Sequence, residues 1–97
     1  MPKFMLLISW TDQGIRTIKD FAKRSQGAES LAKKFGVEIK HVYLTSGEND
    51  LVVFVDATDE DSMAKFALAL GAQGNVRTRT SRVWAQEQLK QFLSELP

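Results

Sequence analysis

Leu51–Asp56 reads LVVFVD, five apolar residues in succession without alternation. Such a run suits a strand covered on both faces, and so the middle of a sheet. Lys3–Trp10 (KFMLLISW) has the same character. Phe4, Leu6, Ile8 and Trp10 point one way, and Met5, Leu7 and Ser9 the other. Val37–Leu44 (VEIKHVYL) is also a strand, but Glu38 and Lys40 interrupt it, as on an edge where charge discourages stray pairing. Regular alternation puts Val37, Ile39, His41 and Tyr43 on one face and Glu38, Lys40, Val42 and Leu44 on the other. Val76–Trp84 is the fourth strand, with Arg77, Arg79 and Ser81 on one face and Thr78, Thr80, Arg82 and Trp84 on the other.

Between the strands the apolar period changes from two to 3.6. Thr11 or Asp12 caps a short helical turn after the first strand. A helix then runs from about Asp20, its cap, to Phe35, and Gly36 stops it. Thr58 and Asp59 cap a second helix whose buried stripe is Met63, Phe66, Ala67 and Leu70, ended by Gly71 and Gly74. Ala85, Leu89, Phe92, Leu93 and Leu96 form the apolar face of a C-terminal helix.

The order is βαββαβ plus a helix. Right-handed crossovers and short connections turn that order into an α+β, ferredoxin-like sandwich over residues 1–97. Its four-stranded antiparallel sheet has the first and third strands at the centre and two helices on one face. The other apolar face then needs a cover, since large exposed patches are rare in monomers. The C-terminal helix or a second copy of the sheet can supply it. The expectation is a homodimer with sheets packed face to face, the C-terminal helix reaching a neighbour.

The totals narrow the function classes. Ninety-seven residues fit one domain that buries about 65% of its unfolded surface. There is no cysteine, which excludes disulfides, a thiolate nucleophile and Cys-ligated zinc. Thirteen basic and twelve acidic side chains leave a net charge of +1, too balanced for a general nucleic-acid binder. LVVFVD has no Arg or Lys and only one Phe, unlike the aromatic and basic central-strand motifs of an RNA-recognition domain. The apolar run near Met1 is too short for a signal peptide or a membrane span. A cytoplasmic protein without nucleic-acid or membrane partners is therefore expected.

Three segments carry a family likeness: SWTDQGIRTIKD (Ser9–Asp20), GEND (Gly47–Asp50) and ALALGAQGNVRTRTSR (Ala67–Arg82). With them the chain resembles the GYD domain family, small bacterial and archaeal proteins, from Lys3 to about Pro97. The resemblance implies a dimeric α/β-barrel type of ferredoxin-like domain and brings no assigned activity with it. Family members usually carry Gly-Glu-Tyr-Asp where this chain has Gly-Glu-Asn-Asp. Asn49 thus replaces an aromatic phenol with an amide.

Candidate sites follow from residue type. TSGEND (Thr45–Asp50) reads first as a hairpin connection, because Gly, Asn and Asp accept turn conformations. Its functional reading has Glu48 and Asp50 facing a pocket. His41, the single histidine, is the other candidate acid or base, beside Tyr43. Trp10 adjoins TDQG and is the better pocket residue of the two tryptophans. Trp84 belongs at the opposite end of the first strand if the first and fourth strands are antiparallel. Arg77 or Arg79 can bind an anion, although GAQGN follows a helix and so reverses the order of a phosphate loop. The candidate ligand-binding set is Trp10, Thr11, Gly14, His41, Tyr43, Asn49, Asp50 and Arg77, with His41 and Asp50 as catalytic candidates. No metal or cofactor is called for. The expected function is the binding of a small ligand or a partner by a homo-oligomer. A cofactor-independent oxygenase- or isomerase-like enzyme and a structural or regulatory oligomer are the alternatives.

Overall fold

Strand β1 (Lys3–Trp10) leads through a short helix α1 (Asp12–Arg16) and a 3-10 turn (Ile18–Asp20) into helix α2 (Phe21–Lys34). Strands β2 (Val37–Leu44) and β3 (Leu51–Ala57) come next, then helix α3 (Glu60–Ala72), strand β4 (Val76–Val83) and helix α4 (Gln86–Ser94). These elements come from a computed structural model that describes all 97 residues. The strand order is β2-β3-β1-β4, antiparallel at each pairing. The expected ferredoxin-like α+β fold is therefore present, with the two most apolar strands at its centre.

The core lies between the sheet and helices α2 and α3. Phe4, Leu6 and Ile8 from β1 and Leu51, Val53 and Val55 from β3 meet Ala32 of α2 and Met63 and Phe66 of α3. Ala67 and Leu70 pack against this cluster, completing the expected stripe. Gly36 ends the first long helix at φ +74°, a conformation that only glycine adopts cheaply. Gly71 lies inside the last turn of α3, and Gly74 makes the stop beyond it. No helix is long and apolar enough to cross a membrane.

Caps differ from expectation in detail. Thr11 caps α1 by accepting from the Gly14 N–H, but the Asp20 side chain caps nothing. Asp20 sits at the end of a 3-10 turn, where the backbone already continues into α2. Asp59 caps α3, and its Oδ1 accepts from the Ser62 N–H at 2.7 Å, while the Thr58 hydroxyl instead donates to the Gly36 carbonyl. The Ser62 hydrogen bond holds the Asp59 carboxyl below the ordinary carboxylate range. A depressed folded value means that the contribution is present above the unfolded pKa and is lost as pH falls through the folded one. Asp59→Ala therefore lowers the melting temperature at pH 7. Melting curves of variant and parent converge once the pH drops below that depressed value.

Strand β2 corrects one expected face. Ile39 pairs with Val55, but the next residue to pair, with Phe54, is His41. Lys40 is the extra residue of a β-bulge, which bends an edge strand and switches the faces of the residues after it. Val37 and Ile39 face the helices, and after the bulge Val42 and Leu44 do so. His41 and Tyr43 turn to the opposite face, where they stack 6.1 Å apart and Tyr43 meets Phe54 edge-on at 6.5 Å.

That opposite face has no helix over it. Its rows run His41–Phe54–Met5–Ser81 and Tyr43–Val52–Leu7–Arg79. Met5, Leu7, Val52 and Phe54 are half-buried and Tyr43 is 54% exposed. The C-terminal helix does not cover them. The chain measures 52 × 30 × 17 Å, and its radius of gyration of 14.8 Å exceeds the roughly 13 Å of a compact chain of this length. Helix α4 is tied to the sheet by an aromatic relay that reaches Phe92 in its last turn. Arg82 lies 5.7 Å from the Phe4 ring and 4.8 Å from the Trp84 ring, and Trp84 meets Phe92 edge-on at 6.2 Å. Leu89, Leu93 and Leu96 stay exposed.

Candidate functional site

The two most distinctive sequence runs, WTDQG (Trp10–Gly14) and GAQGN (Gly71–Asn75), meet in space. β1 ends beside the start of β4, with Trp10 paired to Val76. The chain then turns into α1 directly against the α3–β4 connection. The Thr11 N–H donates to the Asn75 carbonyl at 3.1 Å, and the Thr11 hydroxyl to the Gly74 carbonyl at 2.5 Å. Gln13 Nε2 donates to Asn75 Oδ1 at 2.9 Å. Gly14 is the contact point. A Cβ there would fall on the Asn75 carbonyl oxygen, far inside van der Waals contact. The clasp thus requires glycine for space, and two amides for hydrogen bonds across some sixty residues of chain.

Arg24 of α2 braces the same region. Its Nη1 donates to the Thr17 carbonyl at 3.1 Å and hydroxyl at 2.6 Å, and its Nη2 to the Gly14 carbonyl at 3.1 Å. Beside the clasp lies a mostly apolar cavity of about 80 Å³ between α2 and the sheet. Leu51 and Val53 line it from the sheet and Phe21 and Ala28 from α2, with Trp10 contributing from the end of β1. Trp10 meets Phe21 edge-on at 6.3 Å, and its indole Nε1 is buried with no hydrogen-bond partner. Val42, 45% exposed on the β2 edge, also lines it.

The other sequence candidates are distributed elsewhere. Asp50 is tied to main chain: its Oδ2 accepts from the Trp10 N–H at 2.9 Å, and its own N–H donates to the Ile8 carbonyl at 2.9 Å. Asn49 closes the Thr45–Asp50 connection through its carbonyl, which accepts from the Thr45 hydroxyl. His41 and Tyr43 stand on the open face of β2. Asp50 lies four residues beyond the row of His41, roughly 13 Å at strand rise, too far to share a proton. Arg77 is exposed on the open face of β4, three strand spacings, or roughly 14 Å, from the edge that carries His41. No group of three His, Asp or Glu side chains is gathered for a metal.

Sequence reasoning missed Arg24, Gln13 and Asn75. The available signal was the pairing of two glycine-and-amide runs, each too irregular for a helix or strand interior. Asp50→Ala tests the structural role of the carboxylate. It leaves a part-buried N–H unpaired and costs about 1–3 kcal/mol in urea unfolding, with α-helical and β-sheet circular dichroism retained.

The GYD domain pattern matches residues 4–93. The chain belongs to the GYD domain family. It is also 33% identical over 81 residues to the glutamine synthetase and cystathionine beta-lyase binding protein of Thermus thermophilus, covering 82% of this chain and 85% of that one. Solved structures agree on the fold. A feast or famine regulatory protein from M. tuberculosis, complexed with L-methionine, superposes with a TM-score of 0.66 at 19% identity over 88% of this chain. This GYD domain spans about half of that protein, 51% of its length. A second structure, also from Thermus thermophilus, has a TM-score of 0.56 at 20% identity, covering 88% of this chain and 95% of the other.

Proposed function

We propose that this chain is a homodimeric binding domain, two sheets packed open face to open face, that docks onto a partner protein rather than catalysing a reaction. The observation that carries the reading is the uncovered apolar centre of the sheet, Met5, Leu7, Val52 and Phe54, on the side away from both packed helices. An apolar patch on two central strands is a liability for a lone chain and suits a self-complementary interface. Stacked sheets sit about 10 Å apart, so facing side chains of this size interdigitate. Arg77 and Arg79 rim one side of the patch and His41 and Tyr43 the other, a polar margin around an apolar centre. The exposed leucines of α4 then extend the interface onto the neighbouring copy.

Partner binding rests on the Thermus relative, whose name records the binding of two enzymes. The separation of His41 from Asp50, and the use of Asp50 by the Trp10 N–H, weigh against an acid–base pair. Light scattering at micromolar concentration tests the assembly. The expected mass is twice 10.9 kDa. A mass of 10.9 kDa sinks the homodimer and with it the role given to the open face.

A further inference from the structure

We propose that the cavity under α2 is a binding site for a small carboxylate with a branched apolar body. Its volume of about 80 Å³ is about half that of the roughly 150 Å³ apolar cavity that takes benzene. By that ratio the space takes about three carbons, the size of a branched isopropyl end, with the rest of the occupant outside it. Left empty, such a space forfeits the packing contacts of its lining.

Two polar features give the occupant its chemistry. The Trp10 indole N–H is buried and unpartnered in a residue that lines the cavity, and a buried donor without an acceptor is costly. Arg24 also lines it. Its three hydrogen bonds to Thr17 and Gly14 leave the Nε hydrogen and one Nη2 hydrogen of the five-donor guanidinium without a protein acceptor. An N–H and part of a guanidinium both ask for an oxygen acceptor, and the guanidinium favours an anionic one. No carboxylate of the chain lines the cavity to supply it. The body lies on Leu51 and Val53 beside exposed Val42, while the carboxylate meets Arg24 and the indole. The site is on the opposite side of the sheet from the proposed dimer face, so either reading can fail alone.

Isovalerate is the probe, with isopentylamine as its cationic counterpart of similar shape. Titration is followed through the two indole N–H signals in a proton–nitrogen NMR spectrum. Isovalerate is expected to move the Trp10 signal saturably and leave that of Trp84, outside the cavity, in place. Isopentylamine binds at least tenfold more weakly. Ala28→Leu fills the cavity from α2 and weakens isovalerate at least tenfold. Val42→Phe, at an exposed lining residue, does the same without touching the core and serves if the first variant fails to fold. No saturable movement of Trp10, equal binding of the amine, or undiminished binding in the variants that fold overturns the proposal.

Discussion

Gly14→Ala lowers the stability of this domain by about 3 kcal/mol, the upper part of the range for overpacking, and Gly27→Ala raises it by about 0.5–1 kcal/mol. The two substitutions add the same methyl group to a helix, and their surroundings set the sign. At Gly14 the new carbon lands on the Asn75 carbonyl, 2.9 Å from its carbon atom, and backbone on both sides is pinned. The Thr11 N–H and hydroxyl hold the α3–β4 connection there, and Arg24 holds the Gly14 carbonyl. At Gly27, on the outer side of α2, nothing lies within 4 Å, so only the gain in helix propensity remains. Domains of this size are stable by about 5–15 kcal/mol, so the first change is a large fraction of the total. Urea unfolding of both variants checks the pair. Equal stabilities would mean that WTDQG and GAQGN are not clasped.

In the proposed homodimer, Met5→Glu is expected to turn dimer into monomer and to weaken self-association at least a hundredfold. Met5 lies between Phe54 and Ser81 at the centre of the open face. In a lone chain its position is partly exposed, and a carboxylate there reaches water. Between two packed sheets the same carboxylate is buried, once from each copy, with Phe54 and Ser81 as its neighbours on the adjoining strands. Leaving a buried charge unpaired costs about 3–5 kcal/mol, enough for the stated fold-change. Lys23→Glu, on the exposed side of α2, is the control and leaves the mass unchanged. Circular dichroism separates dissociation from unfolding. A Met5→Glu protein that stays dimeric would place the interface elsewhere.

The sequence patterns located the sheet because its signal is strong and local. LVVFVD and KFMLLISW are apolar on both sides, and burial on two faces leaves few other places for them. The bulge at Lys40 was not legible. Alternation continues through VEIKHVYL on paper, and only the pairing of Ile39 with Val55 and His41 with Phe54 reveals the extra residue. The switch matters, because it moves His41 and Tyr43 to the open face and Val42 to the cavity. The projection of α4 was equally hidden, since an amphipathic pattern states that a face needs burial and not what buries it. Asp50 illustrates the same limit for the site. A carboxylate in a turn reads as a possible acid or base, whereas its bond to the Trp10 N–H depends on a partner forty residues away.

The claim that two copies meet through the uncovered sheet is tested most directly by isotope-filtered NOE measurements on a mixture of labelled and unlabelled protein. Intermolecular contacts are expected among the side chains of Met5, Leu7, Val52 and Phe54, and none from the buried Leu6 and Val53 of the opposite face. Intermolecular contacts confined to α4 or to the helix-covered side would contradict it, as would their complete absence.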